Sequence, residues 1–384
     1  MGVLREREST GVGPVELFFD LVYVFAITQL SHFLLHHLGV EGALEFAVLF
    51  AAVWWGWNYT AWAANWLDPD NRTVQGFFAL WMFASLGMAV AIPEAYGERA
   101  WLFVAAYLFL QLSRASFMVR AWRGQAMGRN YAQLLAWSAI AGVVWVAGVF
   151  VPDEARVWVW LGAVVLDYLG PRVNFWLPRV GGTPMSTWPL SEDHLAERNR
   201  LVFIVALGES IVILGATLTG MELTAGAVAA AVLGFATIVV LWRLYFDARL
   251  GNAEHERVAV EAATEVSRSA YAYAHALMVA GAVVIAVGVD LVLARPWDTA
   301  DAATIATVLG GPAIYLVGNL VFNRAISGRI AVSRIVALGC LVVLALIAFA
   351  LPVLVLAALA LAVLLLLSLA ASGWFTLPSM NVDK

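Results

Sequence analysis

Asp20 and Glu209 each interrupt a run of apolar residues, in ELFFDLVYVFAITQLS and FIVALGESIVILGA respectively. A carboxylate in such surroundings can take up a proton or hold a cation, and its burial is costly enough to need a reason. Asp20, Val24, Ile27 and Ser31 follow a 4, 3, 4 spacing, which places them on one face of a helix. An acid at the head of that stripe draws cations towards a path. It is equally an acid that meets the positive end of the helix dipole. Glu16, one turn earlier, reads first as a helix-start acid. Glu209 is flanked by Gly208, Ser210 and Gly215, which suits close helix packing. Its place near the middle of an apolar run makes it a candidate proton or cation site.

Other polar residues ask for weaker roles. His275 follows Tyr271 by one helical turn. It either meets Glu209 across helices or stays neutral against a carbonyl, and the second is the simpler expectation. Asp167 has Arg172 nearby, and Arg243 stands four residues before Asp247, so both pairs read as structural ion pairs. Asn58, Trp62 and Asn65 share a face. Gln111, Asn319 and Asn323 are lone amides of the kind that stitch helices together. The supporting polar set is then Glu16, Asn58, Gln111, Glu197, Arg198, Arg243, Asp247 and Asn319. The sequence has no Walker loop, dinucleotide glycine pattern, HExxH motif or nucleophile elbow. No cofactor, metal, nucleic acid or enzymatic activity is therefore expected.

The elements that position these residues follow from composition. The chain has 384 residues, of which 62% are hydrophobic and 13% charged. Soluble domains carry about 25% charged residues. A larger core cannot close that gap, because water-facing surface needs charge and lipid-facing surface does not. Seventeen tryptophans also suit a membrane interface. The expected fold is all-α, a polytopic transmembrane bundle with helices of about 20 apolar residues. Spans are predicted near 15–36, 43–64, 73–93, 99–120, 131–151, 156–177, 199–219, 224–246, 269–292, 303–324, 332–350 and 353–372. Pro352 is expected to divide the last apolar block into a hairpin. With the N-terminus inside, all of the 22 basic residues except Arg99, Arg156 and Arg295 fall on the cytoplasmic side. That asymmetry favours twelve spans in a bacterial plasma membrane, with both termini cytoplasmic. The single cysteine, Cys340, reads as a small buried hydrophobe.

The halves look related. ELFFDLVYVFAITQLS opens one and ERNRLVFIVALGESIV the other. Tyr107 with Gln111 is matched by Tyr315 with Asn319. The implied domains are 1–190 and 191–384, two six-helix repeats in parallel orientation.

Several motifs together resemble the bacterial low-temperature-requirement A (LtrA) family. They are VELFFDLVYVFAI from Val15, WWGWNYTAWAANWLDPD from Trp54 and LDYLGPRVNFW from Leu166. HLAERNRLVFIVALGESIV from His194, LWRLYFD from Leu241 and RSAYAYAHALMVAG from Arg268 complete them. The resemblance implies an integral membrane protein over nearly the whole chain. FFDLVYVFAIT from Phe18 is also distantly similar to the Phe-Ser-Asp signature of the endolysosomal and bacterial potassium channels, with Phe19 in place of Ser. That likeness implies a pore lined by first helices, and a homodimer would supply four six-helix units.

These readings lead to one expectation, a protein conducting monovalent cations or protons along the first and seventh helices. Asp20 attracts the ion, Val24, Ile27 and Leu214 constrict the path, and Glu209 binds or is protonated. The rivals are a secondary transporter for a small organic solute, and a membrane protein with a structural, sensory or lipid-handling role.

Overall fold

The computed structural model describes residues 2–5, 11–246 and 268–372. Among them there is no strand, only isolated bridges such as Leu4 to Leu67. Helix α1 spans Pro14–His36. It starts on a proline, whose missing N–H is harmless in the first turn. Glu16 accepts the Gly13 N–H at 3.3 Å, so one arm of this acid caps the helix. Helices α2 (Val40–Ala64) and α3 (Arg72–Ala91) follow, and the Asn71 side chain caps α3 by accepting from Thr73 and Val74. Next come α4 (Ala100–Ala121), α5 (Ala126–Val149) and α6 (Asp153–Arg172). A loop leads to α7 (Glu192–Thr219) and then α8 (Ala225–Tyr245). A π-helical turn, Arg268–Ala274, enters α9 (His275–Ala294). Helices α10 (Ala302–Val308), α11 (Gly310–Ser327), α12 (Val332–Ile347) and α13 (Val353–Ala371) complete the described chain.

Eleven spans among the described residues are long and apolar enough to cross a membrane, with α10 and α11 acting as one. Helix α6 is not among them. It has 20 residues, enough to cross, but carries Asp153, Glu154, Arg156, Asp167 and Arg172. Pro352 does divide the last apolar block, as the residue preceding α13. Cys340 corrects its expectation, because it is exposed. It shares α12 with the exposed Val342, Val343 and Leu346, a surface suited to lipid.

The chain forms two compact units, Met1–Arg198 and Asn199–Lys384, which divide inside α7. In the first unit α2 packs against α1, α4 and α6, and its Trp54, Trp55 and Trp57 are buried. In the second unit α9 holds the enclosed position, against α8, α10, α11 and α13. The buried helix is thus the second of one unit and the third of the other. Glycine permits the tightest approach in the second unit. A Cβ on Gly281 would lie 2.6 Å from the Tyr315 nitrogen, and one on Gly318 would lie 2.7 Å from the Ala274 oxygen. Backbones of α9 and α11 therefore meet without side chains between them.

Candidate functional site

The first unit buries its charge where α1, α2 and the first turns of α7 converge. Arg198 is fully buried and holds two acids of α1. Its Nη1 donates to Glu16 Oε2 at 2.7 Å and its Nη2 to Asp20 Oδ1 at 2.6 Å. The two acids are one turn apart on α1, so they present a fork to one planar guanidinium. Trp57 of α2 donates its indole N–H to the same Asp20 oxygen at 2.7 Å, and its ring lies 5.8 Å from the guanidinium carbon. Arg5 donates to Glu16 Oε1 at 2.8 Å.

His194 completes the cluster, with its Nε2 2.8 Å from Glu16 Oε2. Its tautomer follows from its neighbours. Asn65 Oδ1 accepts from the Ser191 N–H at 2.9 Å, so the Asn65 amide nitrogen faces Ser191 O and His194 Nδ1. Nδ1 must then accept, and Nε2 carries the proton given to Glu16. With His194 neutral, two carboxylates face two guanidinium groups. Among the described residues, one oxygen, Asp20 Oδ2, is buried with no hydrogen-bond partner, and so is Arg198 Nε.

This geometry corrects the reading of Asp20 as an open cation lure. Its charge is already met by Arg198. The stripe below it turns into the unit, with Ile27 and Ser31 buried and Val24 half-buried. The outward face of α1 is Phe18, Leu21 and Phe25 instead. Glu16 is more than a helix-start acid, since it caps α1 and binds Arg5, His194 and Arg198. Glu197 is exposed and takes no part in the cluster. At the other end of α1 a cavity of about 620 Å³ is lined by His37, Glu41, Glu45, Glu94 and Tyr96, among others.

A second polar set in this unit was not anticipated. Arg114 lies seven residues before the end of α4 at Ala121, about 10 Å at 1.5 Å per residue. From sequence it reads as a helix-end cation, yet it is buried. It donates to Gly56 O at 3.1 Å and Thr60 Oγ1 at 2.9 Å, both on α2, and to Gln111 Oε1. Asp167 is not paired with Arg172. Its Oδ2 accepts from Tyr107 at 2.7 Å and Trp145 at 3.0 Å. Gln111 joins Arg114 to Tyr107 along α4 itself, so its amide links polar groups of one helix and does not stitch two helices together. Asn58 is buried on α2.

In the second unit Glu209 is buried, and among the described residues no hydrogen bond or ion pair holds its carboxylate. Ser210 turns back to Ala206 O at 3.1 Å. Gly208 and Gly215 are not close-packing positions, because a Cβ on either would meet nothing within 4 Å. His275 does not meet Glu209. Its Nδ1 lies 2.9 Å from Ala270 O in the π-helical turn and its Nε2 2.7 Å from the Tyr245 hydroxyl. Asn319 accepts from Arg334 of α12 at 3.1 Å, which ties α11 to α12. Arg243 donates to Ser372 at 3.0 Å, and Asp247 lies outside the described residues. No group of metal-binding residues occurs among those described.

Comparison with known proteins supports the first resemblance and not the second. No solved structure matches the chain, and nothing found supports a likeness to the potassium channels. An uncharacterized protein of Rhizobium meliloti (strain 1021) is 33% identical over 329 residues, which cover 85% of this chain and 80% of that protein. The family model described as bacterial low temperature requirement A protein matches residues 11–369. It therefore takes in α1 to α13 almost entire, including Glu16, Asp20, His194 and Arg198, and the chain belongs to the LtrA family of multi-pass membrane proteins.

Proposed function

We propose that this protein moves protons across the bacterial plasma membrane, alone or coupled to a solute, with the Glu16–Asp20–His194–Arg198 cluster as its protonation site. The observation that carries this reading is the unbonded oxygen of Asp20, buried beside a guanidinium in a cluster whose charges otherwise balance. A metal cation is poorly served there. It would have to displace or sit against Arg198, and like charges in a low dielectric repel strongly. A proton needs no such space, because it adds to a carboxylate oxygen and changes the charge of the cluster by one. Glu209 adds a buried acid in the second unit, and an acidic cavity lies at the far end of α1. The arrangement of basic residues supports cytoplasmic termini, with α6 as the twelfth crossing.

The test is proton movement in proteoliposomes with an entrapped pH-sensitive dye under an imposed membrane potential. Wild type is expected to move protons, and Asp20→Asn and Glu209→Gln to abolish or strongly reduce the movement. Equal signals from wild type and protein-free liposomes, with and without added solutes, sink the proposal. Flux that appears only with a solute points to coupled transport.

A further inference from the structure

The candidate site leaves one set of buried groups in the first unit unused. Asp167 of α6, Tyr107, Gln111 and Arg114 of α4, and Trp145 of α5 are all buried within the helical bundle. Their hydrogen bonds have a single direction, and chemistry forces it. A guanidinium only donates, so the Gln111 oxygen must face Arg114. The Gln111 nitrogen then faces Tyr107 and donates to its hydroxyl oxygen at 2.8 Å. The Tyr107 proton is left to point at Asp167 Oδ2, 2.7 Å away. Trp145 donates to that same oxygen at 3.0 Å. Every donor runs from the cation towards the carboxylate.

We infer that Asp167 is a further proton-binding site, and that the Tyr107–Gln111 chain reports its state to Arg114. The argument is one of charge. Among the described residues, the partners of Arg114 are neutral: Gly56 O, Thr60 and Gln111, with the Tyr59 ring 5.4 Å from its guanidinium carbon. A buried cation needs a counter-charge, and Asp167 supplies it through three polarised hydrogen bonds, Arg114 to Gln111, Gln111 to Tyr107 and Tyr107 to Asp167. A proton on Asp167 removes that counter-charge and weakens the pull on the Tyr107 proton. Arg114 and Tyr107 of α4 are the charged and titratable groups that face Asp167 from other helices. Tyr168 neighbours it on α6, and α5 contributes the Trp145 indole.

The chain has a destination. Arg114 binds Gly56 O and Thr60 Oγ1, and between them Trp57 binds Asp20. One turn of α2 thus touches Asp20 directly and Asp167 only through Arg114, Gln111 and Tyr107. A Cβ on Gly56 would stand 3.1 Å from the Tyr23 hydroxyl, which in turn accepts from Ser85 at 3.3 Å. Loss of the Asp167 charge loosens the grip of Arg114 on this turn and is felt at Trp57 and Asp20. That these protons belong to a transport cycle rests on the proposed function, whereas their binding at Asp167 does not.

The experiment is infrared difference spectroscopy of the full chain in nanodiscs between neutral and acid pH. Wild type is expected to gain a protonated-carboxyl carbonyl band that Asp167→Asn lacks and Asp20→Asn retains. Tyr107→Phe, which keeps the ring and removes the hydroxyl, should shift that band, because the acid loses a hydrogen-bond partner. The proposal is overturned if Asp167→Asn and wild type show the same carboxyl bands, or if Tyr107→Phe leaves every band in place. If proteoliposomes show no flux while the Asp167 band titrates, the transport reading falls and this site stands.

Discussion

Trp57 and Arg198 donate to the same oxygen of Asp20, Oδ1, at 2.7 and 2.6 Å, and leave Oδ2 with no partner. Two donors on one lobe and none on the other make an asymmetric carboxylate. The bonded lobe anchors α1 to α2 and to the start of α7. The free lobe can accept a proton without breaking either bond. In the proposed function, anchoring and proton uptake then fall to different oxygens of one side chain.

Arg198 is central to this arrangement, since among the described residues it alone binds both Glu16 and Asp20. Arg198→Met should leave two buried acids short of a counter-charge and cost about 3–5 kcal/mol, the range for breaking a buried ion pair. Thermal unfolding in detergent measures it. The triple variant Glu16→Gln, Asp20→Asn, Arg198→Met removes the charges together and should recover much of the loss. If Arg198→Met unfolds with wild type, the cluster does not hold the unit together.

The glycines at the α9–α11 contact give a packing prediction. Gly318→Ala places a methyl 2.7 Å from Ala274 O and 2.8 Å from the Met278 nitrogen, both backbone atoms that cannot move aside alone. The helices must separate, at a cost of about 1–3 kcal/mol by analogy with overpacked cores. Gly339→Ala is the control, because its methyl meets nothing within 4 Å. The gain in helix propensity should make that variant neutral or slightly stabilising. Equal unfolding temperatures for the two variants would refute the close approach.

How much of this was legible in the sequence depends on the range of the signal. Hydropathy is a local property, and it gave the helices and the break at Pro352. It also identified Asp20 and Glu209 as acids in apolar runs. Partners are not local: Glu16 and Arg198 are 182 positions apart, and no spacing rule reaches so far. Arg114 was misread for a related reason. Seven residues from a helix end, a long cationic side chain can reach water, and only tertiary packing shows that this one turns inward to α2. Gly208 and Gly215 carried the spacing of a packing face, yet close approach needs a neighbour, which the sequence cannot supply. His275 reached a carbonyl five residues back because the π-helical turn places Ala270 there, a geometry that an α-helical reading does not contain.

Glu209 should separate stability from function in the opposite way to Arg198. The residue is 5% exposed, and among the described residues nothing binds its carboxylate. Glu209→Gln has nearly the same shape and no charge. It should change unfolding free energy by less than about 1 kcal/mol, because no named interaction is lost. Proton movement should nonetheless fall sharply, since an amide cannot carry a proton through a cycle. Unfolding temperature and flux measured on the same preparation check both halves of the statement. A large loss of stability would mean that the carboxylate has a structural partner, and unchanged flux at unchanged stability would remove Glu209 from the proton path.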